Sequence, residues 1–188
     1  MKHILKPALS LFLIAAITTA LLGFVFDLTK EPIESQNRLT RERTMREVLF
    51  QADSFRELEA KIDGSIVKVY EGMVGDDIIG YVLELSPAGY SDKINLMVGI
   101  LREENQIAGM RILSHSETPG LGALAARPAF YERFNGLALN PLRVVKSSYP
   151  GPGEIQAITS ATITTAAITD AVNEAMEWYR AYQGGSRR

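Results

Sequence analysis

The chain has 188 residues, 46% of them hydrophobic and 22% charged, which is typical of one folded domain of ordinary size with an appendage. Twenty Lys and Arg against 22 Asp and Glu give a formal net charge of -2, so the basic excess of a nucleic-acid-binding protein is missing. The absence of cysteine excludes disulfides and cysteine-ligated metals, and two histidines argue against a His-rich metal centre, so redox chemistry would need an organic cofactor.

The N-terminal segment predicts an uncleaved membrane anchor. Residues 8–26 carry no charge, and about 19 helical residues approach the ~30 Å thickness of the hydrocarbon layer. A cleaved signal peptide is the alternative, but its apolar region would be shorter and would end in small residues, whereas bulky ones close this run. Lys2 and Lys6 precede it, so the positive-inside rule predicts a cytoplasmic N-terminus at 1–7 and a transmembrane helix at 8–28.

The remainder of the chain predicts an α+β domain. A linker region at 29–60 contains a mostly exposed helix at 34–50, and a main domain at 61–183 is followed by a frayed tail at 184–188. Within the main domain, alternating apolar runs between turn residues predict strands at 65–70, 78–85, 94–101, 107–113 and 142–146. Helices are expected at 126–135 and at 163–182, the second with apolar residues every three or four positions. The predicted fold is therefore a meander of strands with a C-terminal helix over one face.

A cluster of hydroxyl side chains marks the start of that last helix. Thr159, Ser160, Thr162, Thr164 and Thr165 fall within seven residues. Serine and threonine are common helix caps, which is one explanation. The other is an anion site, because the free N–H groups of a helix start suit a phosphate and small residues let a ligand approach the backbone. The residues alone leave both explanations open.

The same segment resembles a known flavin-attachment motif. TSATIT, residues 159–164, is similar to the S/T-G-A-T-x-S/T motif found in the G subunit of the Rnf electron-transport complex and in the C subunit of the sodium-pumping NADH:quinone reductase. ETPGLG at 117–122 resembles that family's loop beside the flavin, and segments 80–100 and 28–33 also match. The chain has Ser160 where the motif commonly has Gly, and Gln156 where an acidic residue is common. The length is more similar to that of the Rnf protein.

The resemblance implies a flavin mononucleotide (FMN) joined by a phosphodiester to the hydroxyl of Thr162. Thr164 and Thr165 lie further into the helix, where hydroxyls commonly bond back to carbonyls. The implied cofactor contacts come from two segments: Thr159, Ser160, Ala161, Ile163 and Thr164 around the acceptor, and Glu117, Thr118, Gly120, Leu121 and Gly122 in the loop. Because a threonine hydroxyl needs a base and the segment offers none, a separate flavin transferase is expected to attach the FMN.

In this interpretation the protein has no catalytic residue and no metal of its own. It is an electron-carrier subunit of an ion-translocating oxidoreductase in the bacterial inner membrane, with the main domain in the periplasm, and its partners are the other subunits of an Rnf-type complex. No nucleic acid is expected as a partner. Two other functions stay open on the sequence: a non-redox membrane-anchored binding or assembly module, and a domain that binds FMN reversibly. Flavin colour that survives denaturation would separate the three.

Overall fold

The computed structural model describes residues 2–185, so Met1 and most of the predicted tail, 186–188, lie outside the described residues. The two predicted N-terminal helices form one continuous helix, α1, Lys2–Val48. Pro32 lies within it and removes one backbone donor without ending the helix. Lys6–Val48 contains a window with a mean hydropathy of 2.4, none of which is buried, so α1 is long and apolar enough to cross a membrane. The chain divides into two compact units, with the boundary between Arg41 and Glu42.

Five antiparallel strands form the main sheet of the second unit, in the order β1-β2-β3-β4-β5. Four of them, β2 to β5, confirm the predicted strands to within a few residues. The first strand escaped prediction because it has four residues and a mostly exposed pattern. The strands are β1 Ser54–Glu57, β2 Ile66–Val74, β3 Asp77–Leu85, β4 Asn95–Leu101 and β5 Gln106–Ser114.

Shorter elements follow the sheet. The prediction of one helix at 126–135 is wrong, because residues 122–134 contain three short elements. They are a 3₁₀ turn at Gly122–Ala126, the helix α2 at Pro128–Tyr131 and a second 3₁₀ turn at Glu132–Phe134. Pro128 starts α2 because its fixed φ suits a first helical position, while Gly136 with φ 73° follows the last turn. Strand β6, Arg143–Val145, confirms a predicted strand and pairs in parallel with an unpredicted one, β7, Glu154–Gln156.

Helix α3, Thr162–Gly185, covers one face of the main sheet. Its buried face confirms the predicted three- and four-residue spacing, because every member is at most 1% exposed: Ile168, Ala171, Val172, Ala175, Met176 and Tyr179. These side chains join apolar residues of β2 to β5 in the larger of the two hydrophobic clusters. The predicted α+β class, with a C-terminal helix over a meander, is confirmed.

The end of α1 packs on the opposite face of the sheet. Val48 and Leu49 are fully buried there, so the prediction of a mostly exposed helix is wrong for the last turn. Gly99 and Gly109 face each other across β4 and β5, and a Cβ built on Gly99 would lie 2.1 Å from the carbonyl oxygen of Val48. Leu49 approaches Gly72 in the same way, at 2.3 Å from its hypothetical Cβ. Glycines in the strands thus make room for the helix end.

Candidate functional site

A cavity of about 480 Å³ opens between three segments of the second unit. These segments are the loop after β3, the loop after β5 and the start of α3. The lining residues are Tyr90, Glu117, Thr118, Leu121, Gly122, Ser160, Ala161, Thr162, Ile163 and Thr164. The structure therefore brings both sequence-predicted segments to one site. Two predicted residues, Thr159 and Gly120, do not line the cavity. Tyr90 lies in the matching segment 80–100 but was not singled out as a site residue.

The hydroxyl groups at the start of α3 differ in exposure. Thr162 is the first residue of the helix and its side chain is exposed on the cavity. Helix geometry leaves the N–H groups of the first turn without acceptors inside the helix. Thr164 and Thr165 are buried, at 1% and 0% exposure. The helix start therefore offers free backbone donors and an exposed hydroxyl at the same place.

The side chain of Thr165 bonds to the backbone of the turn that precedes α3. Its hydroxyl donates to the carbonyl oxygen of Ala161 at 2.9 Å and accepts from the N–H of Ile158 at 3.1 Å. The prediction that this hydroxyl bonds back to a carbonyl is confirmed. For Thr164 the same prediction is wrong, because its hydroxyl donates instead to a carboxylate in the loop after β5.

That carboxylate belongs to Glu117, which is buried and hydrogen-bonded at both oxygens. Oε2 accepts from the hydroxyl of Thr164 at 2.5 Å, and Oε1 accepts from the N–H groups of Tyr90 at 2.8 Å and Ser91 at 2.9 Å. Burial by itself raises the pKa of Glu117, but the hydrogen bonds from the Thr164 hydroxyl and the two amides outweigh it, so the pKa lies below its ordinary value. We call Glu117 and its three donor residues the carboxylate cluster. It joins all three segments of the site.

Two glycines pack directly against this carboxylate. A Cβ on Gly89 would lie 2.5 Å from Oε1 of Glu117, and one on Gly122 would lie 2.4 Å from Oε2. Both positions therefore require glycine for space. Gly120 differs, because its φ of 77° calls for glycine while the space beside it is open. Gly122, an implied cofactor contact, lacks the side chain that would collide with Glu117.

Ser160 has a φ of 63°, in the left-handed region that favours glycine. It lies in the turn closed by the hydrogen bond from the N–H of Ala161 to the carbonyl oxygen of Ile158, at 2.9 Å. The glycine that the resembling motif commonly has at this position suits that backbone. Serine adopts the same conformation here at an energetic cost of roughly 1–2 kcal/mol.

Apolar or aromatic side chains from each segment line the same cavity as the exposed hydroxyl of Thr162. Tyr90 is 69% exposed, Leu121 40% and Ile163 57%, although all three are large and apolar or aromatic. Backbone donors and apolar surface thus lie together at the cavity. This combination suits a ligand that carries a phosphate on one end and a flat apolar ring on the other. Among the described residues, no group of three His, Asp or Glu could hold a metal ion.

Comparison with known proteins identifies the class of domain. Residues 89–177 match the family model of the FMN-binding domain, and this range contains every residue that lines the cavity. Residues 1–48 match the model of the RnfG N-terminal region. The C subunit of the Na(+)-translocating NADH-quinone reductase from Parabacteroides distasonis has the same fold, with a TM-score of 0.59 over 78% of this chain and 94% of that chain, at 19% identity.

Two relatives with curated names identify the family. The G subunit of the ion-translocating oxidoreductase complex of Methanosarcina acetivorans is 31% identical over 97% of this chain and 98% of its own length. The G subunit of the Na(+)-translocating ferredoxin:NAD(+) oxidoreductase complex of Acetobacterium woodii is 33% identical over 95% of this chain and 93% of its own. The chain therefore belongs to the family of the G subunits of ion-translocating oxidoreductase complexes, as its motifs predicted.

Proposed function

We propose that this protein is a membrane-anchored electron carrier that holds FMN through a phosphodiester on the hydroxyl of Thr162. One observation carries the proposal: Thr162 is exposed on the cavity at the first residue of α3, whereas Thr164 and Thr165 are buried with partners of their own. Ser160 is also exposed on the cavity. The register of the family motif, and the free N–H groups that follow Thr162, favour Thr162 over it.

Attachment requires an external base. The Oγ1–P bond forms, the bond between the FMN phosphorus and the AMP portion of FAD breaks, and the hydroxyl proton must leave. Among the described residues, Glu117 is the one carboxylate that lines the cavity, and protein donors already bind both of its oxygens. Its lowered pKa makes it a weak base. A separate flavin transferase therefore supplies the base, with FAD as donor and AMP as leaving group.

Once attached, FMN supplies reversible electron transfer, and the protein contributes position and electrostatics. The N–H groups at the start of α3 are placed to donate hydrogen bonds to the phosphate oxygens. Tyr90, Leu121 and Ile163 provide apolar surface for the ring. Since the acceptor lies on a helix that also carries two buried threonines nearby, the cofactor would be held on a rigid element.

The proposal includes a membrane topology for the chain and a set of partner subunits. Residues 8–28 of α1 cross the bacterial inner membrane with residues 1–7 in the cytoplasm, 29–60 lead out of it, and the FMN domain, 61–183, faces the periplasm. A covalent link would retain the flavin on a side of the membrane that cytoplasmic FMN does not reach. The electron partners are the other subunits of an Rnf-type complex, and the assembled complex couples electron flow to transport of Na⁺ or H⁺.

Flavin fluorescence of the denatured chain tests this function. The full chain is purified in detergent from a host with a flavin transferase, denatured in SDS and separated on a gel. A fluorescent band at the mass of the chain is expected. Fluorescence that appears only as free flavin would indicate reversible binding, and a protein with no flavin at any stage would favour the non-redox assembly module.

A further inference from the structure

Glu117 lies at the centre of the site but is turned towards the protein. It is 5% exposed, and each of its oxygens already accepts at least one hydrogen bond from the chain. Oε1 accepts two hydrogen bonds from the chain and Oε2 accepts one, so protein donors already hold the carboxylate. Through these hydrogen bonds one carboxylate connects the loop after β3, the loop after β5 and the first turn of α3.

The connection to α3 is made two residues from the acceptor. Thr164 follows Thr162 by two positions, so a hydrogen bond that fixes its side chain also fixes the rotation of the turn that presents Thr162. The packing of Gly89 and Gly122 against the two carboxylate oxygens leaves Glu117 little room to move. The same carboxylate therefore sets both the orientation of the helix start and the position of the loop that carries Leu121.

We propose that Glu117 is a positioning residue for flavin attachment, which acts through Thr164 and does not itself contact the phosphate or the ring. This inference rests on the proposed attachment at Thr162. It assigns Glu117 a role different from the direct cofactor contact that the sequence suggested. Loss of the carboxylate would leave the acceptor hydroxyl present but poorly oriented.

Glu117→Gln is the informative variant. Glutamine keeps the shape, but its amide has one acceptor oxygen and a donor NH₂ group. If the oxygen accepts from the N–H groups of Tyr90 and Ser91, the NH₂ group faces Thr164 and can only donate to its hydroxyl, so a neutral hydrogen bond of opposite direction replaces the charge-assisted one. Misorientation of a reacting group by about 1 Å can slow a reaction by up to ~100-fold. We therefore expect covalent loading by a flavin transferase and FAD to proceed roughly 10-fold or more slowly than in wild type.

Glu174→Gln is the matched control. Glu174 lies further along α3, and its Oε2 also accepts a backbone N–H and a hydroxyl, both from Ser65, at 2.8 and 2.6 Å. It does not line the cavity. Glutamine can keep both hydrogen bonds through its amide oxygen, so this variant removes the same charge elsewhere on the helix and should leave the loading rate within about twofold of wild type. Equal slowing in both variants would overturn the proposal, because the effect would then be one of general stability.

The dependence on Thr164 gives a second, independent criterion. Thr164→Val should slow loading as Glu117→Gln does, while Thr164→Ser, which keeps the hydroxyl, should load nearly as wild type. The double variant with Glu117→Gln and Thr164→Val should be no slower than the slower single variant, because both remove the charge-assisted hydrogen bond from the Thr164 hydroxyl to the carboxylate. If the fold-reductions in loading rate of the two single variants multiply in the double variant, Glu117 does not act through Thr164.

Amide hydrogen exchange in the unloaded full chain separates this inference from the proposed function. Peptides that cover 158–166 should exchange faster in Glu117→Gln than in wild type or in Glu174→Gln, because the first turn of α3 is less restrained. Unchanged exchange with a wild-type loading rate would overturn the positioning role. A wild-type chain that never becomes loaded would contradict the proposed function instead, and exchange alone would then decide whether Glu117 holds the helix start.

Discussion

The hydroxyl of Thr164 donates a 2.5 Å hydrogen bond to Oε2 of Glu117, across 47 positions of sequence. This contact joins the two segments that resemble the flavin-attachment family. One segment supplies an exposed hydroxyl at a helix start. The other supplies a buried carboxylate that is hydrogen-bonded to that helix start. The carboxylate cluster thus gives the site a defined shape before any cofactor is attached.

Gly122→Ala tests the close packing of this cluster. The new methyl group would lie 2.4 Å from Oε2 of Glu117 and 2.7 Å from Oγ1 of Thr164, so the hydrogen bond between them must break or the loop must shift. We expect the free energy of unfolding to fall by about 1–3 kcal/mol, and covalent flavin to fall with it. Denaturant unfolding and in-gel fluorescence measure the two effects.

Gly151→Ala is the control for that variant. The nearest atom to its new methyl group, Oε2 of Glu154, would be 3.5 Å away, which is an ordinary contact. Both stability and flavin content should stay close to wild type. A Gly122→Ala protein as stable and as fully loaded as the Gly151→Ala protein would contradict the close approach of Gly122 to Glu117.

Ser160→Gly tests the left-handed backbone before the acceptor. Removing the Cβ relieves roughly 1–2 kcal/mol of strain, while glycine costs roughly 0.5–1 kcal/mol in extra freedom of the unfolded chain. The net result should be a gain of about 0–1.5 kcal/mol with undiminished flavin loading. Asn105→Gly, at the other described non-glycine residue with positive φ, 49°, should gain less because asparagine tolerates this region. A clear loss of stability in Ser160→Gly would contradict this account.

Periodic local patterns made most of the fold predictable. The apolar spacing of α3 and the alternation of β2 to β5 depend only on residues near in sequence, and these elements were confirmed. Strands β1 and β7 were missed because each has only one apolar residue, Phe55 and Ile155, and so shows no alternating pattern. The burial of the α1 end could not be anticipated, since it depends on glycines from several strands meeting Val48 and Leu49.

In the site, too, the features that depend on local sequence were predicted and those that depend on long-range contacts were not. The hydroxyl-rich segment and the glycine-rich loop were visible locally, and the family motif related them. Tyr90 and the hydrogen bonds to Glu117 were not, because they depend on how the loops after β3 and β5 meet in space. The sequence also does not distinguish a glutamate whose carboxylate binds protein groups from one whose carboxylate binds a ligand. Only the three-dimensional contacts show that protein groups already occupy the oxygens of Glu117.

Leu121→Asp tests whether the loop faces the flavin ring. Leu121 is 40% exposed on the cavity, and a carboxylate in its place would put a charge against an apolar surface. We expect a shift in the visible spectrum and a lower midpoint potential of the attached FMN, because a negative charge disfavours added electrons. Leu121→Met keeps the apolar contact and should change neither. A fully loaded Leu121→Asp protein with the wild-type spectrum and potential would place the side chain away from the ring.

Retention of the N-terminal helix tests the anchor. The uncharged run from 8 to 26 is too long for the apolar part of a signal peptide and lacks a small-residue end. N-terminal sequencing of the membrane-purified protein should therefore begin at or next to Met1. A mature chain that starts after about residue 20 would show that the segment is cleaved.

Thr162→Val tests the acceptor itself. Valine keeps the shape and β-branching of threonine but removes the nucleophilic oxygen, and the exposed hydroxyl has no buried partner whose loss would destabilise the fold. The variant should fold, insert into the membrane and carry no covalent flavin. Electron transfer through the assembled complex should stop. Unfolding and membrane insertion measured beside in-gel fluorescence separate loss of the acceptor from loss of the protein.

Neighbouring hydroxyls supply the controls for this assignment. Ser160→Ala removes the other exposed hydroxyl of the motif that lines the cavity and should keep its flavin, while Thr162→Ser keeps an acceptor oxygen and should retain partial loading. Thr164 and Thr165 are buried with partners, so neither should substitute for Thr162. Peptide mass spectrometry decides the position: a flavin-bearing fragment from Thr162→Val, or a wild-type flavin mapped to Ser160, would show that the acceptor is a different residue.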